Sequence, residues 1–183
     1  MIGNKFNFCP ECGGKNISYL ENKKWFCADC GFDLYNNVAA AVGAIISDAE
    51  NNVLFEIRAK EPRKGFLALP GGFVDRDETA EQAVVRECLE EIGVQPEKVK
   101  YLCSFPNDYL YKNIAYKTCD LFFDASIPEG EGNVHELIKR LHSQDSEVSG
   151  FAVKKIDSKD AIEKLPLAFE SAKKALSYWL SFR

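Results

Sequence analysis

The sequence predicts an α/β domain preceded by a small N-terminal module built on four cysteines. Three observations carry that reading. Two Cys-x-x-Cys-Gly knuckles, at Cys9–Gly13 and Cys27–Gly31, lie near the N-terminus. After Tyr35-Asn36-Asn37 the composition turns from scattered aromatics to the apolar run Val38-Ala39-Ala40-Ala41-Val42-Gly43-Ala44-Ile45-Ile46. Beyond it, short apolar strands flank an amphipathic helix that a glycine pair introduces. The expected division is 1–36 for the cysteine module and 37–183 for the α/β domain.

In the module, a two-residue gap lets two thiolates converge on one ion. Gly13 and Gly31 then let the chain turn back so that backbone N–H groups point at the sulfurs. Cys9, Cys12, Cys27 and Cys30 thereby offer the four thiolates of a closed, tetrahedral, structural Zn²⁺ site, a zinc ribbon. A pair of disulfides is the alternative. The three further cysteines (Cys88, Cys103 and Cys119) all sit in apolar surroundings, which argues for a reducing compartment and a cytoplasmic protein. Phe6, Phe8, Tyr19, Trp25, Phe26 and Phe32 with few aliphatics make a module that needs its metal to fold.

In the larger domain the run from Val38 reads as a buried strand, closed by the turn-rich Asp48-Ala49-Glu50-Asn51-Asn52. Val53 to Ala59 is expected as its hairpin partner. A basic loop with Lys60, Arg63 and Lys64 leads to Leu67-Ala68-Leu69-Pro70-Gly71-Gly72. A helix follows, then strands over 99–105 and 114–124. The polar stretch 128–146 holds a short helical piece from His135 to His142, whose two histidines read as solvent-facing. A strand over 148–155 comes next. The C-terminus has helical spacing from about Leu167 to Leu180, with Ala172, Leu176, Trp179 and Leu180 as core.

Composition excludes several classes. No apolar run approaches the ~20 residues a membrane helix needs, and the N-terminus lacks the pattern of a secretory signal. The formal net charge is −5, so a general electrostatic grip on nucleic acid is not expected.

The chemistry concentrates between Gly72 and Val94. Thr79 with Gln82 forms a capping box, and Gly93 supplies the stop, so one helix spans the segment. At about 100° per residue, Val84, Val85, Cys88, Leu89 and Ile92 make an apolar arc. Glu87, Glu90 and Glu91 fall on an arc facing away from it. Each like-charge pair at this spacing costs about 0.2–0.5 kcal/mol. Glu90 and Glu91 also occupy the last turn, where the helix dipole favours cations. A solvated acidic face is one explanation. The other is a bound divalent cation, which reverses both penalties; oxygen-only ligands select Mg²⁺ or Mn²⁺.

The segment resembles the Nudix box, Gly-x5-Glu-x7-Arg-Glu-U-x-Glu-Glu-x-Gly-U with U bulky and apolar. Gly72, Glu78, Arg86, Glu87, Glu90, Glu91, Gly93 and Val94 all match, and Cys88 stands where a larger aliphatic is usual. The resemblance implies a Nudix-type α/β/α sandwich with a mixed sheet, and Mg²⁺-dependent hydrolysis of a nucleoside diphosphate linked to another moiety. It implies Glu87, Glu90, Glu91 and the Gly71 carbonyl as metal ligands, with Arg86 orienting Glu87 and Glu78 holding the loop. Glu147 is the match for a further catalytic glutamate outside the box. A zinc ribbon joined to such a domain is similar to the NADH pyrophosphatase group. There, Ser-Gln-Pro-Trp follows the box; here Ser104-Phe105-Pro106-Asn107 stands instead. Phe105, Tyr109, Tyr111 and Arg58 are the candidate substrate-binding residues. NADH, ADP-ribose or FAD are the implied small-molecule nucleotide substrates. NAD-capped RNA, a non-catalytic nucleotide or RNA-binding role, and homodimer formation through the cysteine module are carried as alternatives and partners.

Overall fold

A computed structural model describes residues 6–112, 114–141 and 146–183. His142 and the Tyr111 side chain lie outside the described residues. The chain divides into two compact units, one of Met1–Val38 with Asp108–Lys117, the other of Ala39–Asn107 with Thr118–Arg183.

The first unit holds an antiparallel three-stranded sheet, β1 (Ile17–Leu20), β2 (Lys24–Cys27) and β3 (Asp33–Tyr35), in that order. Glu21 and Asn22 take left-handed backbone angles in the turn that joins β1 to β2. Trp25 is buried on β2, with the rings of Phe6 and Tyr19 each centred 4.9 Å away. Three aromatics stand in for the aliphatic core that so short a module cannot assemble.

The second unit is built on a mixed six-stranded sheet. Its strands are β4 (Ala39–Ser47), β5 (Asn52–Arg58), β6 (Leu67–Ala68), β7 (Glu97–Tyr111), β8 (Ile114–Ser126) and β9 (Val148–Lys155). The order is β6-β5-β4-β8-β7, with β9 also paired to β5. Among the described residues four helices complete it: α1 (Ala80–Ile92), α2 (Val134–Ile138), α3 (Lys159–Glu163) and α4 (Glu170–Leu180). Successive side chains of β4 and β5 point to opposite faces and feed two cores. Ile45, Val53 and Phe55 pack with Ile162, Leu176 and Trp179 of α3 and α4. Val42, Ala44, Ile46 and Leu54 pack with Val84, Cys88 and Ile92 of α1 and Val134 of α2. The result is the α/β/α sandwich with a mixed sheet that the resemblance implied.

Two expectations need correction, and one helix is new. The hairpin from β4 to β5 is only a corner, with the single registered pair Ser47↔Val53. β4 instead runs parallel to β8 from Ala39↔Thr118 to Ser47↔Ser126, while β5 pairs along its length with β9. Adjacency in sequence misled because both partners arrive much later in the chain. The last helix begins at Glu170, not near Leu167, because Leu167 bridges Leu67 and the carbonyl of Pro166 accepts from the Leu67 N–H. The short helix α3, capped by Ser158, went unforeseen. Among the described residues no helix is long and apolar enough to cross a membrane.

Candidate functional site

The glycine loop is fixed by its backbone. Ala44 donates to the Pro70 carbonyl and Val42 to the Gly72 carbonyl, both at 2.8 Å, and Val74 donates to Ala40 at 3.0 Å. Gly71 sits at φ 146°, and a Cβ there would come within 2.1 Å of the Val42 carbonyl oxygen. At Gly72 a Cβ would lie 2.5 Å from Glu87 Oε1. Gly71 is therefore required by its close approach to backbone, whereas at Gly72 the neighbour is the movable end of the Glu87 side chain. The helix start is the expected capping box: Thr79 Oγ1 accepts from the Gln82 N–H (3.2 Å), and Gln82 Oε1 from the Thr79 N–H (2.8 Å). Gly93 closes α1 in the left-handed conformation, its N–H donating to the Leu89 carbonyl.

Along α1 the buried residues are Ala83, Val84, Cys88, Glu91 and Ile92, while Leu89 is exposed. The buried arc is thus rotated from the one hydrophobicity alone selects. It takes in Glu91, and the Glu87 side chain is only 14% exposed beside it, whereas Glu90 reaches solvent. Two of the three box carboxylates are drawn under the helix rather than held on an outward face.

Arg86 organises the cluster. Its Nε and Nη2 donate to both oxygens of Glu78 (3.1 and 2.7 Å), a two-pronged ion pair. Nη1 donates to Glu87 Oε1 (2.9 Å) and Glu90 Oε2 (3.0 Å), and Nη2 to the Phe73 carbonyl (3.1 Å). Glu78 also accepts from the Asp75 N–H at 2.7 Å, tying loop to helix. Glu91 Oε2 accepts from the Gly71 N–H at 2.8 Å. Burial pushes the Glu91 carboxyl up to about 7, against the lowering effect of that N–H. Burial also raises Glu87, with Arg86 opposing it. Arg86 holds Glu78 below the usual carboxylate range.

The structure adds a residue the sequence reading missed. Glu56 of β5 is 3% exposed, its carboxyl lies within hydrogen-bond reach of Glu91, and its Oε1 has no partner. Burial, then the Glu91 charge, holds it well above its ordinary value. A charged residue inside the run Val53-Leu54-Phe55-Glu56-Ile57 was the available signal.

Glu147 sits at the start of β9, where its carboxylate pairs with Lys60 (3.2 Å), its carbonyl accepts from the Ala59 N–H (2.7 Å), and its charge is felt at Glu91. Arg58 donates from Nε to the Pro62 carbonyl at 2.9 Å and stacks over Phe169. Phe105 is half-buried against the core shared with α3 and α4, while Tyr109 belongs to the first unit. The Tyr111 backbone ends β7 in that unit.

In the first unit the sulfurs of Cys9, Cys12, Cys27 and Cys30 all lie within 4.8 Å of one another. Cys9 and Cys30, and Cys12 and Cys27, are 3.7 Å apart. A tetrahedron with zinc–sulfur bonds of about 2.3 Å has edges of about 3.8 Å, so the thiols fit that ion and are far too distant for disulfides. Burial would raise the Cys9 thiol, but the N–H groups of Cys12 and Glu11 bring it down to about 7. Among the described residues this is the one group of three or more potential ligands so close together. The box carboxylates are spread out instead, Glu78, Glu87 and Glu90 around the Arg86 guanidinium and Glu91 on the Gly71 N–H. Their fit to a hard cation rests on an oxygen-only donor set and on the orphaned buried Glu56 Oε1.

These features define a domain with a glycine loop, a carboxylate-bearing helix and a mixed-sheet sandwich. The NUDIX domain family matches residues 38–176. The chain belongs to that family. It is 51% identical over 71 residues to an ADP-ribose pyrophosphatase from Methanocaldococcus jannaschii, covering 39% of this chain and 41% of that one. It is 31% identical over 124 residues to the NAD-capped RNA hydrolase NudC of Vibrio cholerae, covering 65% and 45%. The chain thus spans less than half the length of these curated relatives. Among solved structures, a NUDIX hydrolase from Nitrosomonas europaea superposes with a TM-score of 0.67 at 23% identity, covering 97% of this chain and 92% of that one. The NUDIX domain of Shewanella oneidensis NrtR, in complex with ADP ribose, gives 0.62 at 22%, covering 81% and 90%. At these identities the likeness is one of fold.

Proposed function

We propose that the chain is a Mg²⁺- or Mn²⁺-dependent pyrophosphohydrolase. It cleaves the diphosphate of a nucleoside diphosphate linked to another moiety, of the NADH, ADP-ribose or FAD class, to a nucleoside monophosphate and a second phosphate. The observation that carries this is the pair of carboxylates drawn under α1 against a glycine loop, Glu87 held by Arg86 and Glu91 by the Gly71 N–H. Glu87, Glu90, Glu91 and the Gly71 carbonyl are the residues that would hold the catalytic cation. When bound, divalent cations supply a Lewis acid for the charge that develops on the phosphoryl oxygens and lower the pKa of a bound water.

The chain's own groups do the rest. Arg86 fixes the Glu87 carboxylate and, through Glu78, ties the loop to the helix. The Gly71 N–H orients Glu91. Glu147, exposed and paired with Lys60, is the candidate to accept a proton from an attacking water. Arg58, Phe105, Tyr109 and Tyr111 are the candidates to bind substrate. Cys9, Cys12, Cys27 and Cys30 hold a structural Zn²⁺ in a zinc ribbon over 1–36, ahead of a hydrolase domain over 37–183 that works in the cytoplasm.

The test is a phosphate-release panel of NADH, NAD⁺, ADP-ribose, FAD and nucleoside triphosphates with Mg²⁺ or Mn²⁺, using wild type and Glu91→Gln. One preferred substrate whose turnover Glu91→Gln abolishes is the expected result; unchanged turnover in the variant would sink the mechanism. The relatives named NAD-capped RNA hydrolase favour a second reading, that NAD-capped RNA is the substrate. Release of product from capped RNA but not free dinucleotide would select it. Tight ADP-ribose or RNA binding with no turnover would mark a non-catalytic module, and sedimentation of the same sample would show any homodimer.

A further inference from the structure

Glu56 lies at the centre of β5, registered against Ala68 of β6 and Phe151 of β9. Alternation along the strand sends Val53 and Phe55 into the core beneath α3 and α4, and Leu54 into the core beneath α1. Glu56 shares the parity of Leu54, so it points beneath α1. There its side chain is buried, in reach of Glu91, with Oε1 unpartnered. Arg58 is the cation whose charge opposes this burial, but its Nε is engaged by the Pro62 carbonyl and its guanidinium lies over Phe169. A glutamate kept in an apolar strand with one oxygen idle is costly unless something else takes that oxygen.

We propose that Glu56 is a further carboxylate of the divalent-cation site, its idle Oε1 given to a cation held together with Glu91. This deepens the reading that the box glutamates hold such a cation and rests on it. Glu56 lies outside the box, so the motif alone does not point to it. Its contribution is to set how tightly the cation is held beneath α1, where Glu91 alone would share it with water.

Binding of Mn²⁺ to the full chain tests this, read by the loss of the free Mn²⁺ electron paramagnetic resonance signal and by metal-induced change in Tm. Wild type, Glu56→Gln, Glu56→Leu and Glu91→Gln are compared. Both Glu56 variants should bind Mn²⁺ about tenfold or more weakly. Without metal, Glu56→Leu should melt no lower than wild type, because a buried carboxylate has been replaced by an apolar side chain, yet lose most of the Mn²⁺-induced rise. Wild-type affinity in both Glu56 variants, with affinity lost in Glu91→Gln, would overturn the proposal and leave the box reading intact. Failure of wild type itself to take up Mn²⁺ would overturn the box reading and this proposal with it. A metal-free Tm that falls in both variants, with unchanged Mn²⁺ affinity, would make Glu56 a packing residue and also overturn it.

Discussion

Gly71 and Arg86 show how little freedom single positions have here. Gly71→Ala must relieve a 2.1 Å approach to the Val42 carbonyl and hold a backbone conformation that L side chains rarely adopt. The strained conformation alone costs about 1–3 kcal/mol. The expected outcome is a loss of at least that size in denaturant unfolding, with the loop displaced from β4. Arg86→Lys keeps the charge but not the fork that serves Glu78, Glu87 and Glu90 together. A lysine ammonium cannot reproduce that geometry. Turnover should fall about 10–100-fold with the fold retained, a size typical of groups that orient metal ligands. Wild-type kcat/KM in this variant would show that Glu87 is placed by other means. The residues of this cluster that the motif marks were legible in the sequence. Glu56 was not, because its meaning depends on which face of β5 it occupies, and that face is set by β9, nearly a hundred residues later.

At the scale of elements, α1 was readable end to end, since its cap, its stop and its spacing are local features. Its orientation was not: the buried arc runs through Glu91 and leaves Leu89 outside, a choice made by what the sheet presents. The corner between β4 and β5 illustrates the same split. The turn itself was signalled by Asp48-Ala49-Glu50-Asn51-Asn52, but the pairing beyond it belongs to β8 and β9. Asp48 holds that corner, accepting from the N–H groups of Glu50 and Asn52, from the Asn52 side chain and from the Val134 N–H that opens α2. Although burial works against the charge, these donors hold the Asp48 carboxyl below its ordinary value. A depressed folded value stabilises above the unfolded value, about 3.9, and that contribution is lost as pH falls below it. Asp48→Ala should therefore cost about 1–3 kcal/mol at neutral pH. The gap from wild type should narrow in urea titrations taken below about pH 4. A gap independent of pH would assign the loss to packing instead.

Over the whole molecule, the two units draw on different sources of stability, so their unfolding is expected to be separable in solution. The second carries two aliphatic cores on either side of a six-stranded sheet. The first has a short sheet, a few aromatics around Trp25 and four thiols at the spacing zinc requires. Four clustered thiolates repel one another without an ion, so metal binding there is folding energy. The sequence contains two tryptophans, Trp25 in the first unit and Trp179 in the core of the second. Wild type should carry one zinc per chain, released by a strong chelator and lost from Cys27→Ser. Chelation should red-shift part of the tryptophan emission in wild type and leave it unmoved in Trp25→Phe, where Trp179 alone reports. The second unit should then melt at an unchanged Tm in Trp25→Phe with and without chelator. A shared loss of both signals on chelation would mean that the second unit depends on the metal as well, and that the chain folds as one cooperative body.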